Sequence, residues 1–249
     1  MEAKSTKINY QGTELPTFAD AINWKTYWSK SLSRYATGTV IEVGAGIGSS
    51  TRYICSHFGI DRCICIEPDP SLAAQLSKLV SAGSLPNYCE IKCGILSDLG
   101  LNVKANAIFY IDVLEHIEND MEEVATAATH LMPGGRLVVL SPAFSWLYTP
   151  FDKALGHYRR YSRKDVNRLT APELEVERVF FLDSLGMFLS MGNRLLLRSK
   201  APTIGQIRLW DQKFVPISSY VDRIFGSIAG RSIVIVWKKR LLANATEPL

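Results

Sequence analysis

Residues 40–50 read VIEVGAGIGSS, and this segment constrains the fold more than any other. Three apolar residues, Val40, Ile41 and Val43, carry one embedded acid, Glu42, and stop at alternating glycines, Gly44, Gly46 and Gly48. Such a run describes a buried strand, and the glycines describe a tight turn at its end. A second apolar run, CICIEP, ends in an acid, Glu67, 19 residues beyond Gly48. Glycines let backbone approach a ligand closely, and a strand-end carboxylate accepts hydrogen bonds from ribose hydroxyls. Together they predict a nucleoside site at the carboxyl ends of the strands.

The rest of the chain continues an alternation. Strand-like segments at 39–44, 62–68, 88–94, 107–112 and 136–141 alternate with helical patterns at about 49–58, 71–80 and 119–132. Asp69, Pro70 and Ser71 mark the start of the second helix, and Pro133, Gly134 and Gly135 turn the chain into the fifth strand. This order predicts a parallel sheet with helices on both faces. A helix at 162–169 and a sixth strand at 176–182 follow, and a seventh strand at 232–239 is expected antiparallel at the sheet edge. The stretch 183–229 between them is too long for a hairpin and carries Gly186, Pro202, Gly205 and Pro216 as breakers. It predicts a helical insertion on the substrate side. Ahead of the sheet, 17–33 places Phe18, Ile22, Trp24, Tyr27 and Trp28 in a helix-like run. That run either covers the site or packs on the sheet edge. The chain thus divides into a helical cover (1–38), a nucleoside-binding core (39–182), the insertion (183–229), and a final strand with a tail (230–249) frayed from 244.

At 249 residues, with 47% hydrophobic and 21% charged residues, the composition suits one sizeable globular domain with insertions. The five cysteines, Cys55, Cys63, Cys65, Cys89 and Cys93, form no C-x-x-C pair, and the first twelve residues hold no apolar core. Reduced thiols in a cytoplasmic protein are therefore expected, rather than disulfides or zinc. The most apolar stretch, 179–197, is broken by Asp183, Asn193 and Arg194, which argues against a spanning helix. The net charge of +4 is unevenly divided: residues 1–150 hold 11 Lys/Arg against 15 Asp/Glu (−4), and 151–249 hold 17 against 9 (+8). A basic second half suits an anionic ligand or a membrane surface. No basic run is interleaved with aromatics, so no nucleic-acid partner is expected.

Glycine spacing selects among nucleosides. A dinucleotide fingerprint wants G-x-G-x-x-G, but its third glycine position is Ser49 here. It also asks for no acid two residues before the first glycine, where this chain has Glu42; a carboxylate there suits a cationic ligand. E-x-G-x-G-x-G followed by a strand-end acid resembles the class I S-adenosylmethionine-dependent methyltransferases, and the resemblance runs from Phe18 to Lys239. It implies an α/β, Rossmann-like seven-stranded, mostly parallel sheet with an antiparallel last strand and a helical insertion between strands six and seven. The implied cofactor is S-adenosyl-L-methionine. Gly44, Ala45 and Gly46 would contact its amino-acid portion, with Glu42 close by. Glu67 would hold both ribose hydroxyls, with Pro68 beside the adenine. The family often has an acid at the place of Ile95; here Asp98 comes three residues later, leaving backbone contacts from Ile95 and Leu96, or an inturned Asp98. In IDVLEHIEND, Asp112 and Val113 fall at the methionine-like end, and His116 reads either as a base beside the methyl group or as a turn cap.

After the fifth strand, FDKALGHYRRY resembles a bacterial subgroup of these enzymes. His157 could deprotonate an acceptor hydroxyl, with Tyr158 beside it, and Arg159, Arg160 and Tyr161 could bind an anionic group. The alternative ties the arginines to sheet-edge acids and makes the tyrosines loop packing; one functional and one structural arginine is the expectation. No ordered cluster of acids is visible, so metal-independent transfer is expected. The acceptor is read as a small-molecule, sugar or lipid-linked O or N nucleophile. The run LGMFLSMGNRLLLRSK, with Arg194, Arg198 and Lys200, suits a buried helix ending in snorkelling cations better than contact with a membrane surface. Two other functions stay open: a catalytically silent cofactor-binding partner subunit, and an NAD-linked oxidoreductase, which Ser49 and Glu42 disfavour. Oligomeric state is left open.

Overall fold

The apolar run ahead of the glycine turn lies at the centre of the sheet. In the computed structural model, which describes residues 18–57, 59–192, 202–225 and 228–241, β1 (Gly38–Val43) is buried over its last four positions. It pairs in parallel with β2 (Ile60–Glu67) and with β4 (Ala105–Ile111). β3 (Cys89–Cys93) extends the sheet beyond β2, and β5 (Leu131–Pro142) extends it beyond β4, both in parallel. With β6 (Leu174–Leu182) and β7 (Ser232–Lys239), the described strands form one seven-stranded sheet in the order β3-β2-β1-β4-β5-β7-β6. β7 runs antiparallel to both of its neighbours.

β7 is therefore interior, not at the edge as the sequence suggested, and β6 takes the edge. Burial explains the exchange. Ser232 to Trp237 are six buried residues in succession, whereas β6 exposes four of its nine. A strand that is apolar on both faces belongs inside a sheet, and one that presents Glu175, Glu177 and their neighbours to water can end it.

Alternate strand residues feed two apolar layers. Val40, Cys63, Cys65, Phe109 and Val236 pack with Trp24, Trp28 and Leu32 of α1 (Ile22–Leu32). Ile41, Ile64, Ile108, Val139 and Ile235 pack with Val124, Ala127 and Ala128 of α4 (Asp120–His130). The helix after β1 is a single turn, α2 (Thr51–Ile54), shorter than expected. α3 (Pro70–Ser81) starts where the sequence places it: Asp69 Oδ1 accepts from Ser71 N (2.7 Å) and Leu72 N (3.2 Å), and Pro70 occupies a position that needs no N–H. α5 (Pro150–Ala154) and α6 (Val166–Leu169) lie between β5 and β6.

Between β6 and β7 the chain forms α7 (Ser184–Gly192), α8 (Ile204–Leu209), a π-helical turn (Trp210–Phe214) and α9 (Val215–Phe225). These helices are tied to α1. Asp211 Oδ1 accepts from Trp24 N (2.8 Å) and its Oδ2 from Asn23 N (3.2 Å), so a residue of the insertion satisfies the open N–H groups that begin α1. Tyr27 donates to Asp222 at 2.7 Å. Asp183, fully buried with φ of 64°, accepts from Trp210 Nε1 (2.7 Å) and Ser218 Oγ (2.8 Å) and joins the insertion to the end of β6.

Residues 1–17, Phe58, 193–201, 226–227 and 242–249 lie outside the described residues, and with them the expected frayed tail and the cations Arg194, Arg198 and Lys200. Among the described residues no helix is long and apolar enough to cross a membrane. The five cysteines are free, four of them buried.

Candidate functional site

The glycine turn leaves β1 with φ values of 72° at Gly44, 56° at Gly46 and 77° at Gly48, which residues with a Cβ rarely adopt. Gly44 is also constrained from outside: a Cβ there would lie 2.6 Å from Val113 Cγ2. Gly44 N and Ala45 N donate to Ile66 O at 2.9 and 3.0 Å, which binds the turn to the end of β2. Gly46 N donates to Glu67 Oε2 at 2.7 Å, and Glu67 Oε1 accepts from Asp69 N at 2.9 Å. The turn and the strand-end acid are thus in direct contact, with the carboxylate oriented by two backbone donors. Burial raises the pKa of Glu67, and the two N–H groups oppose it.

The carboxyl ends of β3, β2, β1 and β4 are neighbours in that order, and accessible surface reappears along them. Ile95 and Asp112 are exposed, while Gly44, Pro68 and Val113 are half-buried. These five are among the ten expected cofactor contacts; Ala45, Gly46 and Glu67, at the same strand ends, are buried. Three expected residues lie elsewhere. Leu96 is fully buried, leaving only its backbone for contact. Asp98 does not turn inward but accepts from Ile95 N at 2.9 Å and caps its own turn. Glu42 faces the interior near Thr51 and the buried thiols, and neither of its oxygens has a partner among the described residues. Burial pushes its pKa up to about 8, offset in part by Thr51.

Asp112 sits at the end of β4 with φ of 53°. It keeps accessible surface although protein surrounds it, as at the floor of a cleft. Burial raises its pKa to about 6, opposed by Arg231, His157 and Lys25. Lys25 and Arg231 bring positive charge toward Asp112 from α1 and from the start of β7. Lys25 is on α1, and the Arg231 guanidinium stacks 3.9 Å from the Trp210 ring centre. Neither residue stands out in the sequence, because isolated cations in helical or interstrand segments carry no local signal.

His116 and His157 meet edge to face, with ring centres 4.6 Å apart. Burial, with help from His157, lowers the His116 pKa to about 4. His157 Nδ1 lies 3.1 Å from Asp152 Oδ1. Two backbone bonds fix the loop: Tyr158 N donates to Glu115 O (2.8 Å) and His157 N to Asp152 O (3.0 Å). Glu115, also not anticipated, is fully buried; Oε2 accepts from Ser141 Oγ (2.8 Å), and Oε1 has no partner among the described residues. Burial and Asp112 push its pKa well above the usual carboxylate range.

The expected anion-binding group does not assemble. Arg160 forms a two-pronged pair with Asp152 (2.7 and 3.0 Å), and Arg159 pairs with Asp120 (2.7 Å) and donates to Glu118 O (2.7 Å). Burial alone would raise the Asp152 pKa, but His157 and Arg160 hold it well below the usual range. Tyr161 is fully buried, its hydroxyl bonded to Leu114 O and to Asp120 Oδ2, each at 3.1 Å, so it cannot touch a ligand in the cleft. The two arginines diverge to different acids, Arg159 to Asp120 and Arg160 to Asp152. Tyr158 is exposed, with the Arg159 guanidinium 5.7 Å from its ring centre.

The family described as Methyltransferase domain matches residues 22–182. Tocopherol O-methyltransferase, chloroplastic, from Arabidopsis thaliana is 29% identical over 103 residues, which cover 41% of this chain and 29% of that protein. The solved structure of a geranyl diphosphate methyltransferase in complex with SAM superposes with a TM-score of 0.61 at 12% identity, covering 94% of this chain and 93% of the other. The mitomycin 7-O-methyltransferase MmcR superposes with a TM-score of 0.57 at 16% identity, covering 88% of this chain and 53% of its own. The match thus takes in under a third of the tocopherol enzyme and about half of the mitomycin enzyme.

Proposed function

The chain belongs to the methyltransferase-domain family, and from that premise we propose that it transfers a methyl group from S-adenosyl-L-methionine to an O or N atom of a small-molecule, sugar or lipid-linked acceptor. The contact that carries this reading is Gly46 N to Glu67 Oε2, 2.7 Å, which unites a close-approach turn with a ribose-type acceptor at adjacent strand ends. The free lone pairs of Glu67 suit paired hydroxyls, and Pro68 and Ile95 offer apolar surface for an adenine beside them. Gly44, Ala45 and Gly46 would hold the amino-acid portion, with Asp112 and Val113 at its far end.

When bound, the cofactor supplies an electrophilic methyl group on a sulfonium, already a good leaving group. The displacement asks the protein chiefly for alignment and exclusion of water. The acceptor differs, because a hydroxyl must lose its proton. His157, oriented through Nδ1 by Asp152, presents Nε2 for that proton, with His116 against it and Tyr158 nearby. The helices between β6 and β7 serve as the substrate side. Tocopherol, geranyl diphosphate and mitomycin, the compounds in the relatives' names, are small molecules, which supports the acceptor class. Four buried free thiols suit a reducing, cytoplasmic setting.

The test is incubation with methyl-labelled S-adenosylmethionine and fractionated metabolite extracts, following S-adenosylhomocysteine and label by mass spectrometry. Turnover with label in one small molecule is expected. Cofactor binding without turnover in any fraction would favour the silent partner subunit, and tight NADH binding with no affinity for S-adenosylmethionine would reject the reading.

A further inference from the structure

We propose that Glu115, His116 and His157 form a binding site for a divalent first-row transition ion at the acceptor side of the cleft. One ligand-type atom from each of the three lies within 4.8 Å of the others. Glu115 provides an independent sign of a ligand site. Its residue is fully buried, Ser141 occupies Oε2, and Oε1 is left with no partner among the described residues. A buried carboxyl oxygen without a donor is costly, and an ion would supply what the protein does not while favouring the ionised form.

The surroundings match those of a metal-bound imidazole. With its Nδ1 proton donated to Asp152 at 3.1 Å, His157 presents the Nε2 lone pair, the carboxylate–histidine arrangement that orients metal ligands. Asp152 is itself held by both prongs of Arg160 and by Thr149 Oγ1 (2.8 Å). The His157 loop is pinned to the other ligands by Tyr158 N to Glu115 O, 2.8 Å. Two imidazoles and one carboxylate favour borderline ions such as Fe²⁺, Co²⁺ or Zn²⁺ over Mg²⁺, and three protein ligands leave positions open for an acceptor.

The ion's use rests on the methyltransferase reading. An acceptor hydroxyl would bind the ion through oxygen, its proton passing to solvent, and the resulting oxyanion would take the methyl group as the carbon–sulfur bond breaks. The imidazoles then hold the ion instead of removing the proton themselves, and the sequence-based expectation of metal independence would fall.

The test is Co²⁺ titration of the full, untagged chain, read by visible absorption, with S-adenosylmethionine binding measured calorimetrically in parallel. One equivalent bound with weak visible bands and no thiolate charge-transfer band is expected, and Glu115→Gln and His157→Gln should each weaken it about tenfold or more. Retained S-adenosylmethionine binding shows that those variants are folded. Absence of binding, affinity unchanged in both variants, or a strong near-ultraviolet thiolate band would overturn the site; the band would send the ion to Cys55, Cys63 and Cys89, the other convergent group. Cobalt binding without S-adenosylmethionine binding would reject the methyltransferase reading while leaving the metal site standing.

Discussion

Gly44 has the least freedom to change of any residue at the site. Its φ of 72° disfavours any other residue, and a Cβ would meet Val113 Cγ2 at 2.6 Å. Gly44→Ala should therefore cost about 1–3 kcal/mol of stability, read from the urea midpoint, and displace Val113 at the far end of the proposed cofactor site. Glu67→Ala removes the acceptor for Gly46 N and Asp69 N together with the proposed ribose contact. We expect S-adenosylmethionine affinity to fall by about 1–3 kcal/mol; unchanged affinity would put the ribose elsewhere. Tyr161→Phe should do the opposite, costing about 1 kcal/mol of stability while sparing cofactor affinity, since its hydroxyl serves only Leu114 O and Asp120. These contrasts show what was legible in the sequence. Gly44 and Glu67 could be read because a backbone conformation and a strand end both have local patterns. Arg160 and Tyr161 advertise chemistry by type, but their partners Asp152 and Asp120 are chosen by the fold.

At the scale of elements, α1 and the helices between β6 and β7 form one unit built from distant pieces. The first helix, α1, begins without a local cap, and its opening N–H groups are satisfied by Asp211, 187 residues from Trp24. Sequence periodicity suggested both the leading helix and the insertion, but no local pattern reports a bond over that separation. For the same reason β7 was expected at the edge: pairing with β5 and β6 is a choice among partners, although six buried residues in succession leave little alternative. Asp211→Ala should cost about 0.5–2 kcal/mol, the range for a lost cap. Amide exchange should accelerate at Asn23 and Trp24 and also along α9, which is held to α1 by Tyr27 and Asp222. Acceleration confined to α1 would mean that α1 and the insertion open independently.

For the whole molecule, buried acids are shifted in opposite directions according to whether arginines pair with them. Glu42, Glu67, Asp112 and Glu115 are all raised, chiefly by burial. Asp120, which burial would also raise, is held down to about 2 by Arg168 and Arg159. The consequences for stability have opposite signs. Asp120 is depressed on folding, so its contribution is present above its ordinary value of 3.8 and is lost as pH falls through about 2. Glu42 is raised on folding, so its contribution is complete below 4.5 and is lost as pH rises through about 8. Urea midpoints measured across pH should separate the two. Asp120→Asn should be less stable than wild type at neutral pH, with the deficit shrinking as acid protonates the native carboxyl. Glu42→Gln should gain on wild type steadily between pH 4.5 and about 8, because a neutral amide has no proton to lose. Parallel curves for Glu42→Gln and wild type over that interval would mean that the Glu42 carboxyl is already ionised in the fold, with a cationic partner in contact.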